Sequence, residues 1–237
     1  MRDTATRRER VNSISAAARL RLGWLVWLVW LLIAGDGAYA QASGDACATE
    51  RISAQSLIDF PTAYAAIAPR AAAWRTDARL TSARHTFDNV DRDGQSKRWR
   101  IEYFSTAKAQ LATFDIDKGV LSCRWIETPR VPYIPDLAPS FVKDVKLVLA
   151  VAAQHGGGAL LARGYLPHVA LRTYLPQHKF DFRSTRAVWG VNYLRPTRTK
   201  DGEGQIEDSD SIYVMIDANT GEFISATSAD AWWKFWR

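Results

Sequence analysis

Two distant stretches of the chain share one plan: an alternating apolar strand halts at an aspartate and resumes beyond a glycine. In IYVMIDANTGEFIS, residues 212–225, Ile212, Val214 and Ile216 alternate with Tyr213, Met215 and Asp217. That is the period of two of a strand with one buried face. At Asp217 the chemistry becomes that of a turn. An aspartate accepts hydrogen bonds from main-chain N–H groups just ahead of it, and Gly221 adopts positive φ without a Cβ penalty. Glu222–Ala226 then resumes strand character, predicting a tight hairpin with Asp217, Thr220 and Gly221 as its structural residues. About a hundred residues earlier, Leu111–Ile116 leads into Asp117-Lys118-Gly119 and then Val120–Trp125, predicting a second hairpin about Asp117 and Gly119.

Matching aromatic strands lie upstream. Trp99-Arg-Ile-Glu-Tyr103 and Trp189-Gly-Val-Asn-Tyr193 both read Trp-x-(Ile/Val)-x-Tyr. From Trp to turn Asp the spacing is 18 residues in the first copy and 28 in the second. The difference falls in Thr197–Asp210, read as a polar loop inserted between paired strands. Such loops are tolerated because closure entropy grows slowly with length. An internal repeat is the preferred reading.

Helical sequence precedes the strands of each copy. Ser140 is predicted to cap a helix over Phe141–Gln154, with Phe141, Val145, Val148, Leu149 and Ala152 as one apolar stripe and Gly156–Gly158 as its end. In the first copy Ala63–Ala68 and Arg70–Trp74 are strong helix formers, and Pro69 is expected to break or kink the segment, or to begin a second helix. Thr128–Asp136 holds three prolines and reads as a stiff extended linker. The order predicts an α+β fold of two small units, 41–127 and 137–237, joined by linker 128–136. Each unit packs a helix on one face of a short antiparallel sheet.

The first forty residues read as a targeting segment. Six arginines precede or flank the apolar run Trp24–Ile33, and Ala38-Tyr39-Ala40 is a small-x-small signal that places cleavage before Gln41. Without the six arginines and three acids of residues 1–40, the formal charge falls from +6 to +3. The remaining balance gives no indication of a nucleic-acid partner. A periplasmic or secreted location follows, where two cysteines, Cys47 and Cys123, favour a disulfide. Two free thiols, or lipid attachment at Cys47, are the alternatives.

The helix, the Trp/Tyr strand and the Ile-Asp-Ala-x-Thr-Gly-Glu corner together resemble the PepSY domain. The match covers Val188–Ala226 and is sharpest over Val214–Phe223, while Asp117-Lys-Gly119 of the first copy lacks the Ala-x-Thr spacer. The resemblance implies a protein outside the cytoplasmic membrane. Because the family resembles part of the propeptide of thermolysin-like metalloproteases, it also implies a protease-inhibitory or chaperone-like role. It brings no catalytic residues.

A search for chemistry adds little. His85, His155, His168 and His178 form no His-Glu-x-x-His pattern, and no Cys-x-x-Cys is present, so no metal or cofactor is expected. Asn89–Gly94 resembles the opening of a calcium loop, but the twelfth position is Arg100; a hairpin between Ala83–Val90 and Lys97–Ser105 explains the same residues. The acids of 201–210 read as a solvated loop. At the C-terminus Trp232, Trp233, Phe235 and Trp236 stand beside Lys234 and Arg237. They suit a partner or membrane contact, or cover for the open edge of the core. The leading expectation is a non-catalytic protein that binds a polypeptide and modulates a protease or other envelope protein. The alternative is an envelope hydrolase or carbohydrate-binding protein with a cleft between the units.

Overall fold

Alternating strands of both copies assemble into one large sheet. The computed structural model describes residues 46–85, 90–91, 93–174, 185–199, 202–206 and 210–228. In chain order these form β1 (Ala46–Arg51), β2 (Ile58–Asp59), α1 (Phe60–Trp74), β3 (Arg79–His85), β4 (Gln95–Ser96), β5 (Arg98–Ser105), β6 (Gln110–Asp117) and β7 (Val120–Glu127). There follow α2 (Val145–Ala152), α3 (Gly158–Ala162), β8 (Leu166–Thr173), β9 (Ala187–Thr199), β10 (Gly202–Ile206), β11 (Ile212–Asp217) and β12 (Phe223–Ser228). The main sheet has ten strands in the order β1-β7-β6-β5-β3-β8-β9-β11-β12, with β10 on β9, and β2 pairs β4 separately. The fold is α+β. The short sheets expected of the two halves are parts of this one sheet, because β3 and β8 pair antiparallel, Ala83 opposite Leu171 and Arg84 opposite Ala170.

One register row crosses every strand of the main path. Cys47, Cys123, Phe114, Ile101, Ala83, Leu171, Trp189, Ile216 and Phe223 are successive cross-strand partners. Directly opposed residues point to the same side of a sheet, so the row marks a single face. From Phe114 to Ile216 its side chains are at most 2 % exposed. The two Trp-x-(Ile/Val)-x-Tyr strands deliver all six motif residues to this face, and all six are buried. Each such side chain stabilises the fold by roughly 1.5–3 kcal/mol through burial.

The helices cover that face. The α1 cap is Asp59, whose carboxylate accepts the Thr62 N–H at 2.8 Å, and Phe60, Ala63, Ile67 and Ala71 form its buried stripe. Pro69 neither breaks nor divides this helix, contrary to expectation. The carbonyl four residues before it belongs to exposed Ala65, so losing the Pro69 N–H leaves no buried acceptor without a partner. In the second half α2 begins at Val145, not Phe141, because Asp144 rather than Ser140 caps it; the Asp144 carboxylate accepts the Lys146 N–H at 2.9 Å. Phe141 stays buried in the preceding turn. The helical run ends at the glycines as expected, His155 and Gly156 both leaving helical angles. Gly156, at φ +105°, turns the chain, and a separate short helix, α3, begins at Gly158. Gly157 lies against Tyr193, where a Cβ would sit 2.2 Å from the ring.

Both tryptophans of the motif hold a helix entrance. Trp99 Nε1 donates to Ile58 O at 2.8 Å, just before the Asp59 cap, and Trp189 Nε1 donates to Val142 O at 2.8 Å, just before the Asp144 cap. Phe60 bridges them, its ring centroid 5.4 Å from Trp99 and 5.1 Å from Trp189. The inserted segment is more ordered than a loop: β10 pairs with the end of β9, Gly202 opposite Thr199 through Ile206 opposite Arg195.

Candidate partner-binding surface

The aspartate corners lie at opposite ends of the sheet. Three antiparallel steps separate β5 from β9, so the strands that feed the corners run in opposite directions. At the second corner one carboxylate oxygen of Asp217 accepts the N–H groups of Asn219 at 2.9 Å and Thr220 at 3.1 Å, while the other accepts Arg186 Nε at 2.9 Å. Burial works to raise this carboxyl's pKa, but Arg186 and the two N–H donors outweigh it and hold it below the usual range. Gly221 sits at φ +78° and donates to Asp217 O at 2.8 Å, and Thr220 Oγ1 accepts the Glu222 N–H at 3.2 Å. The Asn219 side chain donates to Asp136 O at 2.9 Å and accepts the Ala138 N–H at 2.8 Å, fastening the proline-rich segment to the corner.

The first corner is built differently. Lys118 at φ +49° and Gly119 at φ +80° make a two-residue turn with both angles positive, the geometry that matches strand twist. Asp117 here only meets Arg98 Nε at 3.2 Å, across an exposed ion pair. Gly119 carries the corner: its carbonyl accepts the N–H of Ile52 at 2.9 Å, and a Cβ would lie 2.4 Å from Ser53 O. Beside it, the Cys47 and Cys123 sulfurs lie within bonding distance, with Cα atoms 5.3 Å apart in register. Asp91 accepts the N–H of Asp93 at 2.9 Å and of Gln95 at 2.8 Å, and Asp93 pairs with Lys146 Nζ at 2.8 Å, so the described residues of the calcium-like stretch form a turn; Asn89 and Arg92 lie outside them. Among the described residues no group of three His, Cys, Asp or Glu is placed to hold a metal. Trp232, Trp233, Phe235, Trp236 and His178 lie outside the described residues.

The face away from the helices is polar. Arg98–Asp117 at 3.2 Å, Arg100–Asp115 at 2.7 Å and Arg186–Asp217 at 2.9 Å form ion pairs there, and Ser82 Oγ donates to Glu102 at 2.7 Å. At the β3–β8 seam exposed Arg84 stands opposite Ala170, with half-buried His168 and exposed Arg172 two residues to either side of it. Burial, then these two guanidinium groups, hold the His168 imidazole below its ordinary range. Tyr213 crosses Gly190, where a Cβ would come 1.9 Å from its hydroxyl, and that hydroxyl accepts Arg172 Nε at 3.0 Å. The seam also holds His85, fully buried, whose Nε2 accepts the Val169 N–H at 3.0 Å. His155 stacks on Phe223 with centroids 3.6 Å apart.

In the sequence His168 enters only as a candidate metal ligand, and nothing links it to the two arginines. Arg84, His168 and Arg172 are ordinary polar positions of alternating strands, and only the β3–β8 register brings them together. The two sheet edges differ as well. The outer strand β1 carries a bulge between Cys47 and Glu50 and the charges of Glu50 and Arg51, devices that discourage added strands. At the other edge β12, Phe-Ile-Ser-Ala-Thr-Ser, also bulges, at Ile224, but has no charge and no proline.

No protein-family model matches the chain, no curated protein matches it, and no solved structure matches it.

Proposed function

We propose that the chain is a non-catalytic, extracytoplasmic protein of two PepSY-like units that binds a polypeptide by adding its strand beside β12. The observation that carries this reading is the uncharged, proline-free β12 at one edge, against a β1 that carries Glu50 and Arg51 at the other. A strand added there gains main-chain hydrogen bonds whatever its sequence, and alternate side chains supply selectivity. Among the described residues no strand pairs with the outer side of β12. The matched indole bonds, Trp99 to Ile58 and Trp189 to Val142, support two related units, each with a helix entrance tied to its own aromatic strand. The Cys47–Cys123 pair fits an oxidising compartment, reached through the N-terminal signal with cleavage between Ala40 and Gln41. A partner in that compartment is an envelope protein such as a protease, whose activity the bound strand would modulate.

Photo-crosslinking in intact cells tests the reading. A photoreactive phenylalanine at successive β12 positions from Phe223 to Ser228 is expected to capture one polypeptide, with yield alternating along the strand. The same label at Glu50 of β1 is expected to capture none. Equal capture at both edges, or none at β12, overturns it.

A further inference from the structure

We infer that the sheet face opposite the helices carries an oxyanion site at the β3–β8 seam, formed by Arg84, His168 and Arg172, that takes a carboxylate side chain of an acidic peptide. The inference deepens the polypeptide-binding reading and rests on it. Charge pairing is its first support. On this face Asp115, Asp117 and Asp217 each have an arginine, respectively Arg100, Arg98 and Arg186, and Glu102 accepts from Ser82. Among the described residues exposed Arg84 and Arg172 have no carboxylate partner.

Geometry is the second support. Arg84 lies opposite Ala170, and His168 and Arg172 sit two residues to either side of Ala170, so all three share one face and converge on a small residue. The next position in that row is Gly190, which leaves the floor low apart from the Tyr213 ring. Tyr213 holds Arg172 through Nε at 3.0 Å, which leaves the two terminal nitrogens as the pair that grips a carboxylate end-on. The surrounding acids decide the class of ligand. A continuous anionic surface, such as a lipid headgroup layer, would bring further negative charge against Glu102, Asp115 and Asp217. A peptide with one acidic side chain among neutral ones places a single charge over the arginines and avoids those acids.

The test compares a labelled heptapeptide carrying one central glutamate among serine, threonine and valine with its glutamine counterpart, by fluorescence anisotropy on the full chain. The glutamate peptide is expected to bind about tenfold tighter, as one charge-assisted contact provides, and added salt should erase the difference. Arg84→Ala and Arg172→Ala should each remove the preference, whereas Arg124→Ala, an exposed arginine elsewhere on the face, should keep it. All three replace exposed side chains, and circular dichroism checks that they fold. Equal binding of the two peptides, or a preference that survives both seam variants, overturns the site. So does recruitment to phosphatidylglycerol vesicles through Arg84 and Arg172 without peptide binding. Equal peptide binding with β12 crosslinks intact would remove this site and leave the strand-addition reading standing; loss of both would remove both.

Discussion

His85 Nε2 accepts the Val169 N–H at 3.0 Å, so a side chain takes over the ladder where β3 and β8 part. The ring can do this only when neutral, with its proton on Nδ1. His85→Ala would leave a buried N–H without its acceptor and a cavity in the seam. The expected loss is about 3 kcal/mol, read by urea denaturation. His85→Gln, which returns an acceptor, should recover part of it. Equal stability of the alanine variant and the parent would remove His85 from the account of the seam.

The neighbouring His168 gives a pH signature. Its folded pKa lies below the ordinary 6.5, so near and below that value the unfolded chain binds more protons than the folded one. Its contribution is present above about 6.5 and is lost as pH falls from there towards the folded value. Thermal melts should show stability declining through this window, and His168→Asn should flatten the decline. A variant profile that overlays the parent would assign the loss elsewhere.

Gly119 and Gly164 form a controlled pair. Both have positive φ, +80° and +86°, yet an added Cβ at Gly119 meets Ser53 O at 2.4 Å whereas at Gly164 nothing lies within 4 Å. Gly164→Ala should cost about 1 kcal/mol, from backbone strain alone. Gly119→Ala should cost at least about twice that and loosen the Ile52–Ser53 segment, visible as faster amide exchange at Ile52. Similar costs for the two would mean the close approach carries no energy.

The two corner aspartates should behave unequally despite their similar sequence settings. Asp217→Ala removes the acceptor of two main-chain N–H groups and of Arg186, and should cost about 2 kcal/mol. Asp117→Ala loses one exposed ion pair, and should cost less than about 0.5 kcal/mol. Because the Asp217 carboxyl titrates below its ordinary 3.8, its contribution persists above that pH and disappears as pH falls further. Denaturation curves at pH 7 and pH 3 for both variants would check the ranking and its narrowing in acid.

Separating Cys47 from Cys123 should be the largest single loss. They stand 76 residues apart in sequence, and closing such a loop stabilises by roughly 4–5 kcal/mol on the chain-entropy model. Cys47→Ser with Cys123→Ser should lower Tm by about 10 °C or more, and a reducing agent should do the same to the parent alone. A parent insensitive to reductant would contradict the bond.

Alternation made the strands legible: the Trp99 and Trp189 motifs and the Asp–Gly corners announce a period of two and a turn. The joint between halves was not legible, since the Ala83–Leu171 pairing is a contact between distant segments that no local pattern encodes. Helix ends were misplaced where two capping residues competed. Ser140 and Asp144 are both good caps, and the aspartate prevails because Phe141 and Val142 are held in a turn by the Ala138 and Ala218 carbonyls. Pro69 misled because its cost depends on whether Ala65 is buried, which sequence does not state. The cationic seam was invisible for the same reason as the joint.

The register row from Cys47 to Phe223 sets a rule for change in chain length. Inserting one residue within β5, β8 or β9 would turn every later side chain of that strand to the wrong side, exchanging Trp or Leu for Arg. Inserting ten between β9 and β11 leaves the row untouched, as the β10 hairpin demonstrates. Strand lengths in this protein are locked, and growth is confined to the connections.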